Sequence, residues 1–455
     1  MEQQIQDASN FNPIAVGLLL VLACLTWSLP RRLAICPLLI MTCLLPLGQD
    51  FVVAGLHFQF FRILLLVGMA RIVLKGEAAQ IEWCGVDKIF AWWAAVSVIL
   101  GALSKPSTEL LVNRLGDFYN AVGCYVFVRC LITDFEVVVL SVRTLAMLSL
   151  PVAALMIVEK TTTHNLLSVF GGVPEITFVR DGHLRCQGAF RHPILAGTFG
   201  ATQVPLFAAL WFYSREHRWL ALLGMVSGLI IVFTASTSGA LMALFVGMGG
   251  LALWKWRDHM RLIRRVSVVA LIGLTLVMNA PVWYLFARLS EITGGTGWHR
   301  AYLIDQTIAH FDEWWLFGTT YTAHWGPAGE VIAADPNMMD ITNHFVMEGV
   351  KGGMVKLLLF VAMIVGCFKI VGRIRAQAES PATGFFVWAL GTSLFAHCLS
   401  FMSITYFDQS IIIWYWLLAA ISSLCCVASS PSPGLVGERT DAGAASEPLE
   451  ASALS

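Results

Sequence analysis

Runs of about twenty apolar residues recur along this chain, and they limit its fold more severely than any other feature. A hydrocarbon core about 30 Å thick takes about 20 residues of helix to cross. Within it, every backbone polar group must find its partner inside the protein. Thirteen candidate spans lie near 13–29, 33–49, 58–75, 88–104, 117–132, 136–158, 192–213, 219–234, 238–254, 266–286, 346–371, 383–401 and 408–428. The first run has no basic leader and no small-residue cleavage site, so it reads as a span and not as a signal peptide. Charged residues make up 13% of the chain, against about 25% in a soluble domain. The formal net charge of zero argues against a nucleic-acid partner. The expected fold is all-α: a polytopic transmembrane bundle of about 12–13 spans.

Basic residues orient such a bundle, because lysine and arginine favour the cytoplasmic side. Arg31-Arg32, Arg71 with Lys75 and Lys88, Arg129 with Arg143, Arg215 with Arg218, Lys255 through Arg265, and Lys369 through Arg375 fall on alternate connections. All can be cytoplasmic at once, which puts segments 159–191 and 287–346 outside. Eleven cysteines form no C-x-x-C pair, so neither a zinc nor a redox motif is expected. No repeat or linker divides the chain. Residues 1–428 read as one membrane domain, and 429–455, rich in Ala, Ser, Gly, Pro and Glu, as a disordered cytoplasmic tail.

The loop 287–346 is the longest polar segment. Within it Ala301, Ile304, Ile308, Phe311 and Trp315 recur at helical spacing, with Arg300, Asp305, Gln306, Asp312 and Glu313 elsewhere on the wheel. This predicts an amphipathic helix, either resting on the membrane interface with Trp314 and Trp315 as aromatic anchors or capping the bundle. Gly294-Gly295 and Gly318 would be hinges or caps, and 326–340 a loop.

Arg180, Arg185, Arg191, Arg288 and Arg300 all fall on the outer side. Guanidinium makes forked contacts to phosphate. Arg191 and Arg300 stand beside histidines and near helix starts, where backbone N–H groups also favour anions; Arg180 and Arg288 read as ordinary residues of long loops. Seven of the eleven histidines lie in or beside the two outer loops. His344 begins a long helix with Glu348 one turn on, a spacing that lets the carboxylate orient an imidazole base. Glu348 and Lys351 could equally pair at the membrane edge. Ser236-Thr237-Ser238-Gly239 reads as a tight turn between closely packed helices, and Asp408 and His397 as ordinary polar groups of the spans.

Four segments carry a likeness to a known family. Arg185-Cys-Gln-Gly-Ala-Phe-Arg-His-Pro193, Thr234-Ala-Ser-Thr-Ser-Gly-Ala-Leu241, Gly297-Trp-His-Arg300 followed by Trp315-Leu-Phe-Gly318, and Asn343-His344-Phe-Val-Met-Glu-Gly349 followed by Gly352-Gly353 occur in order over residues 180–370. In these the chain resembles the O-antigen ligase and Wzy-type polymerase superfamily of bacterial membrane glycosyltransferases. It departs in two places: Ser238 stands where the family's turn has arginine, and Asn343-His344 reverses the commoner His-Asn order.

The resemblance implies transfer of a glycan from undecaprenyl pyrophosphate to an acceptor hydroxyl at the periplasmic face of the bacterial inner membrane. His344, Arg300 and Arg191 would be catalytic. Arg185, His192, His299, Asn343 and Glu348 would bind substrate. The implied partners are a lipid-linked glycan donor, a glycan or lipid A-core acceptor, membrane lipid and other polysaccharide-assembly proteins. No cofactor is implied. No H-E-x-x-H or Asp-x-Asp motif is present, so the reaction is expected to need no metal. The rival expectation is a transporter of an anionic solute or polysaccharide, which would place polar groups at midspan in broken helices.

Overall fold

The computed structural model describes residues 12–53, 56–104, 107–180, 182–278, 280–285, 287–288, 297–326 and 337–427. The expected hinge at Gly294-Gly295, most of the loop 326–340 and the tail 429–455 lie outside the described residues. The chain is an all-α polytopic bundle. Its helices are α1 (Pro13–Ser28), α2 (Cys36–Leu44), α3 (Phe60–Leu74), α4 (Gly85–Ser104), α5 (Thr108–Leu131), α6 (Phe135–Thr162), α7 (Pro193–Tyr213), α8 (Arg218–Ala235), α9 (Ser238–Ala252), α10 (Met260–Val277), α11 (Gly297–Ala309), α12 (Phe311–Trp314), α13 (His344–Gln377), α14 (Pro381–Ser400) and α15 (Asp408–Val427). Two antiparallel hairpins interrupt them: β1 (Asp50–Val53) with β2 (Leu56–Gln59), and β3 (Phe178–Arg180) with β4 (His183–Arg185). Among the described residues, seven helices (α4, α6, α7, α8, α13, α14 and α15) are long and apolar enough to cross a membrane.

Helix starts follow local chemistry. Asn12, Ser107, Asp134, Asn343 and Ser380 each accept a backbone N–H of the first turn that has no helical partner. Proline opens α1, α7 and α14, where its missing N–H costs nothing.

Contacts at the helix ends sort the bundle into two poles. At one, Arg31 donates to the Cys130 carbonyl, Arg32 pairs with Asp134, Arg71 with Glu77, Arg129 with Asp87 and Arg375 with Asp258. At the other, Asn12 donates to the Val169 carbonyl, Gln409 to the Leu45 and Ala189 carbonyls, Cys186 N to the Thr234 carbonyl and His344 N to the Phe401 carbonyl. The chain passes from pole to pole at each expected span, and the arginine-rich connections gather at the first, basic pole.

Two spans differ in form from expectation. The one expected at 33–49 holds only nine helical residues, α2, followed by irregular chain to Gln49. Nine residues of helix and five of non-helical chain can reach up to about 30 Å. Non-helical backbone at that depth survives only inside protein, and Leu38, Leu39, Met41, Cys43, Leu45 and Gln49 are all fully buried. The span expected at 266–286 is instead α10, which starts earlier, ends at Val277 and buries none of its side chains. A separate 3-10 turn follows at Val282–Tyr284.

The centre is built on small residues. Gly200 of α7 lies so close to α8 that a Cβ there would come within 2.7 Å of the Gly228 carbonyl, and one on Gly197 within 2.7 Å of the Ala240 Cβ. Contact at this range lets backbones gain dispersion where lipid offers no hydrophobic drive. Ser236, in the left-handed region (φ 49°), turns α8 into α9.

Candidate functional site

The non-basic pole carries the expected site residues, and α11 brings the first of them in. Its inner face buries Gly297, His299, Arg300, Ala301, Leu303 and Thr307. Trp298 and Ile308 of α11, Phe311 of α12 and Trp315 beyond it are exposed, but Ala301, expected on the same stripe, is fully buried beside Arg300, and the helix expected to run on to Trp315 breaks at His310. Trp314 also departs from expectation. It is 5% exposed, stacks over Gly349 and donates to the Thr307 carbonyl, so it locks the loop to α13 and anchors nothing at an interface.

The lock extends into α13. At Gly352 and Gly353 the helix breaks, with Gly353 at φ 67° and ψ −173°, a region open only to glycine. The interrupted ladder is completed by the outer loop: Met354 N donates to the Trp315 carbonyl at 2.7 Å, and Thr319 N to the Val350 carbonyl at 2.8 Å. Gly318 (φ 82°) and Gly353 face this contact, and a Cβ on either would collide with backbone across it: Gly352 N at 2.9 Å from the first and the Trp315 carbonyl at 2.9 Å from the second.

Arg300 is 7% exposed and has no hydrogen-bond or ion-pair partner among the described residues, with Nε buried and unsatisfied. Burial first, and then the Arg180 guanidinium beside it, hold Arg300 below the usual arginine range. The space next to it is kept open by Gly239: a Cβ there would lie 2.8 Å from Ser403 Oγ and 4.0 Å from Arg300 Nη2. His192 caps α7, its Nδ1 accepting from Ile194 N. Burial, then Arg185, then Arg180, push its pKa down to about 4. It is therefore neutral near pH 7, with Nε2–H as a donor. Arg185 is 6% exposed. Arg180, which reads as an ordinary loop residue in sequence, is the cation common to Arg300 and His192. Arg191 differs in burial and pairing: its side chain is 59% exposed and pairs with Asp408 at 3.6 Å.

His344 and His299 differ in what their rings can do. His344 is 4% exposed and packed on Phe401 and Phe360. Its Nδ1 accepts from Tyr406 N at 3.3 Å, so Nε2 carries the proton of the neutral ring, and Nε2 is buried 3.7 Å from Glu348 Oε1. In this tautomer the ring's lone pair is engaged by the Tyr406 N–H, so the base role expected of His344 requires that contact to open. His299 donates Nε2–H to the Asp340 carbonyl at 3.2 Å, which leaves the Nδ1 lone pair without a partner among the described residues. Glu348 is committed inward, accepting from Trp93 Nε1 at 2.6 Å and pairing with Lys356 at 3.2 Å. Asn343 is the N-cap of α13, accepting from Phe345 and Val346 N, so its side chain is engaged in the fold.

Sequence reading passes over the connection between α14 and α15. Phe401 stacks on His344, Tyr406 binds its ring and the His397 ring, Thr405 holds the Ile341 carbonyl, and Ser403 lies beside Gly239. Seven mixed residues between two spans carry no periodic signal that could have marked it. No protein-family model matches the chain, and no curated protein matches it.

Proposed function

We propose that this chain is a bacterial membrane glycosyltransferase that moves a glycan from a lipid pyrophosphate to an acceptor hydroxyl on the outer face of the inner membrane. One observation carries the reading: Arg300 is buried without a counter-ion among the described residues, beside Arg180, which also faces His192. A cation taken out of water with no partner is costly, and a pyrophosphate would neutralise it. The basic connections at the opposite pole favour the cytoplasm, which puts this pole outside. The exposed Ile308, Phe311 and Trp315 suit a membrane interface beside a donor whose tail remains in lipid.

In the reaction, the bond between the sugar's anomeric carbon and the pyrophosphate oxygen breaks. A new bond joins that carbon to the acceptor oxygen, and the hydroxyl proton passes to His299 Nδ1. Charge grows on the leaving pyrophosphate, where Arg300 and Arg180 stabilise it. The Asp340 carbonyl fixes the His299 ring. His344 acts as a positioning residue that holds the 401–407 connection to α13. Polymerase and ligase share this chemistry and differ in acceptor. The carrier-linked glycans of a strain lacking the chain test the reading: single repeats indicate a polymerase and full-length chains a ligase. Unchanged carrier pools would overturn both.

The break in α13 and the buried Glu348–Lys356 pair favour a second reading, an anion transporter, since broken helices and midspan charges are transporter features. Uptake of labelled anion into vesicles without glycan transfer would select it.

A further inference from the structure

We propose that His310, Glu313 and His324 form a binding site for a divalent transition ion, zinc by preference, that clamps the outer lobe. This lies outside the transfer reaction and does not depend on it. One ligand atom from each residue lies within 4.8 Å of the others. A tetrahedral site with bonds of about 2.0 Å holds its ligand atoms about 3.3 Å apart, so small side-chain movements suffice. His324 Nε2 already stands 2.9 Å from Glu313 Oε1.

The surroundings orient each ligand as metal sites do. His310 donates Nδ1–H to the Gln306 carbonyl at 3.0 Å, which fixes its tautomer and leaves the Nε2 lone pair for a metal. Trp325 Nε1 donates to Glu313 Oε2 at 3.0 Å, leaving Oε1 for the ion. Both imidazoles are held flat by aromatic rings: Trp325 stacks on His310 at 5.4 Å and 19°, and Tyr321 on His324 at 5.0 Å and 12°. Rings fixed in this way lose little freedom on ligation. Two imidazoles and one carboxylate suit zinc, with a fourth position open to water. The ion would join the corner between α11 and α12 to the 3-10 turn Ala323–Trp325, elements 11 to 14 residues apart in sequence.

The test uses the full chain, purified in detergent without a histidine tag, stripped with chelator and titrated with Zn2+ and Co2+. We expect one equivalent of either ion per chain, visible d–d absorption from bound Co2+, and a metal-dependent rise in melting temperature. His310→Gln and His324→Gln should each weaken binding at least about tenfold, and His183→Gln should leave it unchanged. Partial exposure of the ligands makes these variants tolerable to the fold, and each is first shown to melt like metal-free wild type. Should one melt early, Glu313→Gln takes its place. A wild-type stoichiometry near zero, or unaltered binding by the double histidine variant, would overturn the proposal.

Discussion

Replacing Arg300 by methionine should make the protein more stable and inactive. Arg300 is 7% exposed, has no bonding partner among the described residues, keeps Nε buried, and lies beside the Arg180 guanidinium, which repels it. Exchange of a buried ionic group for an apolar one of similar volume is often stabilising by about 1–4 kcal/mol, and a cation with no partner belongs at the favourable end. For a chain this long, each kcal/mol moves the melting temperature by about 2 °C or somewhat less, so a rise of about 2–6 °C is expected. Arg191→Met is the matched control. Its side chain is 59% exposed and its pair with Asp408 spans 3.6 Å, so the change should stay under about 1 kcal/mol. The assay is thermal unfolding in detergent, with and without inorganic pyrophosphate or a short polyprenyl pyrophosphate. Ligand at tenfold its Kd should add about 1.4 kcal/mol to wild type and nothing to the variant. A variant less stable than wild type, or one still stabilised by pyrophosphate, refutes the argument that Arg300 awaits an anion.

Three further outcomes are expected. His299→Gln should abolish glycan transfer while pyrophosphate still stabilises the protein, and His344→Gln, whose amide oxygen can accept from Tyr406 N, should keep measurable transfer; the reverse pattern in a transfer assay would return the base role to His344. Gly353→Ala should cost several kcal/mol, combining a backbone conformation worth about 1–3 kcal/mol of strain with a collision against the loop, whereas Gly249→Ala, with open space around it, should be silent; equal yields and melting temperatures of the two would contradict the clasp. His192 titrates near 4 when folded and near 6.5 when unfolded. Its folded pKa is the lower one, so its contribution to stability is complete above pH 6.5 and is lost as pH falls from 6.5 towards 4. His192→Asn keeps a capping side chain and should flatten that part of the stability–pH curve, and an unaltered slope would exclude His192 as its source.

Much of the architecture is legible in hydropathy, because a bilayer forces the same solution on every apolar run. Helix α5 shows the limit of that signal: its first turns carry Glu109, Asn113, Arg114 and Asp117, so the span read at 117–132 starts at Thr108. In α2, length misleads, since irregular chain completes the crossing under cover of its neighbours. The site is less legible. Sequence placed cations and histidines at one pole, but Arg180 and Arg191 differ only in tertiary surroundings, one facing Arg300 and the other drawn to Asp408. Which histidine keeps a lone pair depends on the Tyr406 N–H and the Asp340 carbonyl, partners more than 40 residues distant in sequence. The grouping of His310, Glu313 and His324 is likewise made by a chain reversal that no spacing rule encodes.

The clasp between residues 315–319 and the break in α13 bears on how such chains can be recombined. The outer loop supplies two hydrogen bonds that α13 cannot make for itself, and α13 supplies the glycine conformation that admits the loop. A chimera that grafts this loop onto a bundle with an unbroken helix would leave donors and acceptors unmatched on both sides of the junction. The exchangeable unit is therefore the loop together with the first three turns of α13, and substitutions at Gly318 and Gly353 should be inherited as a pair.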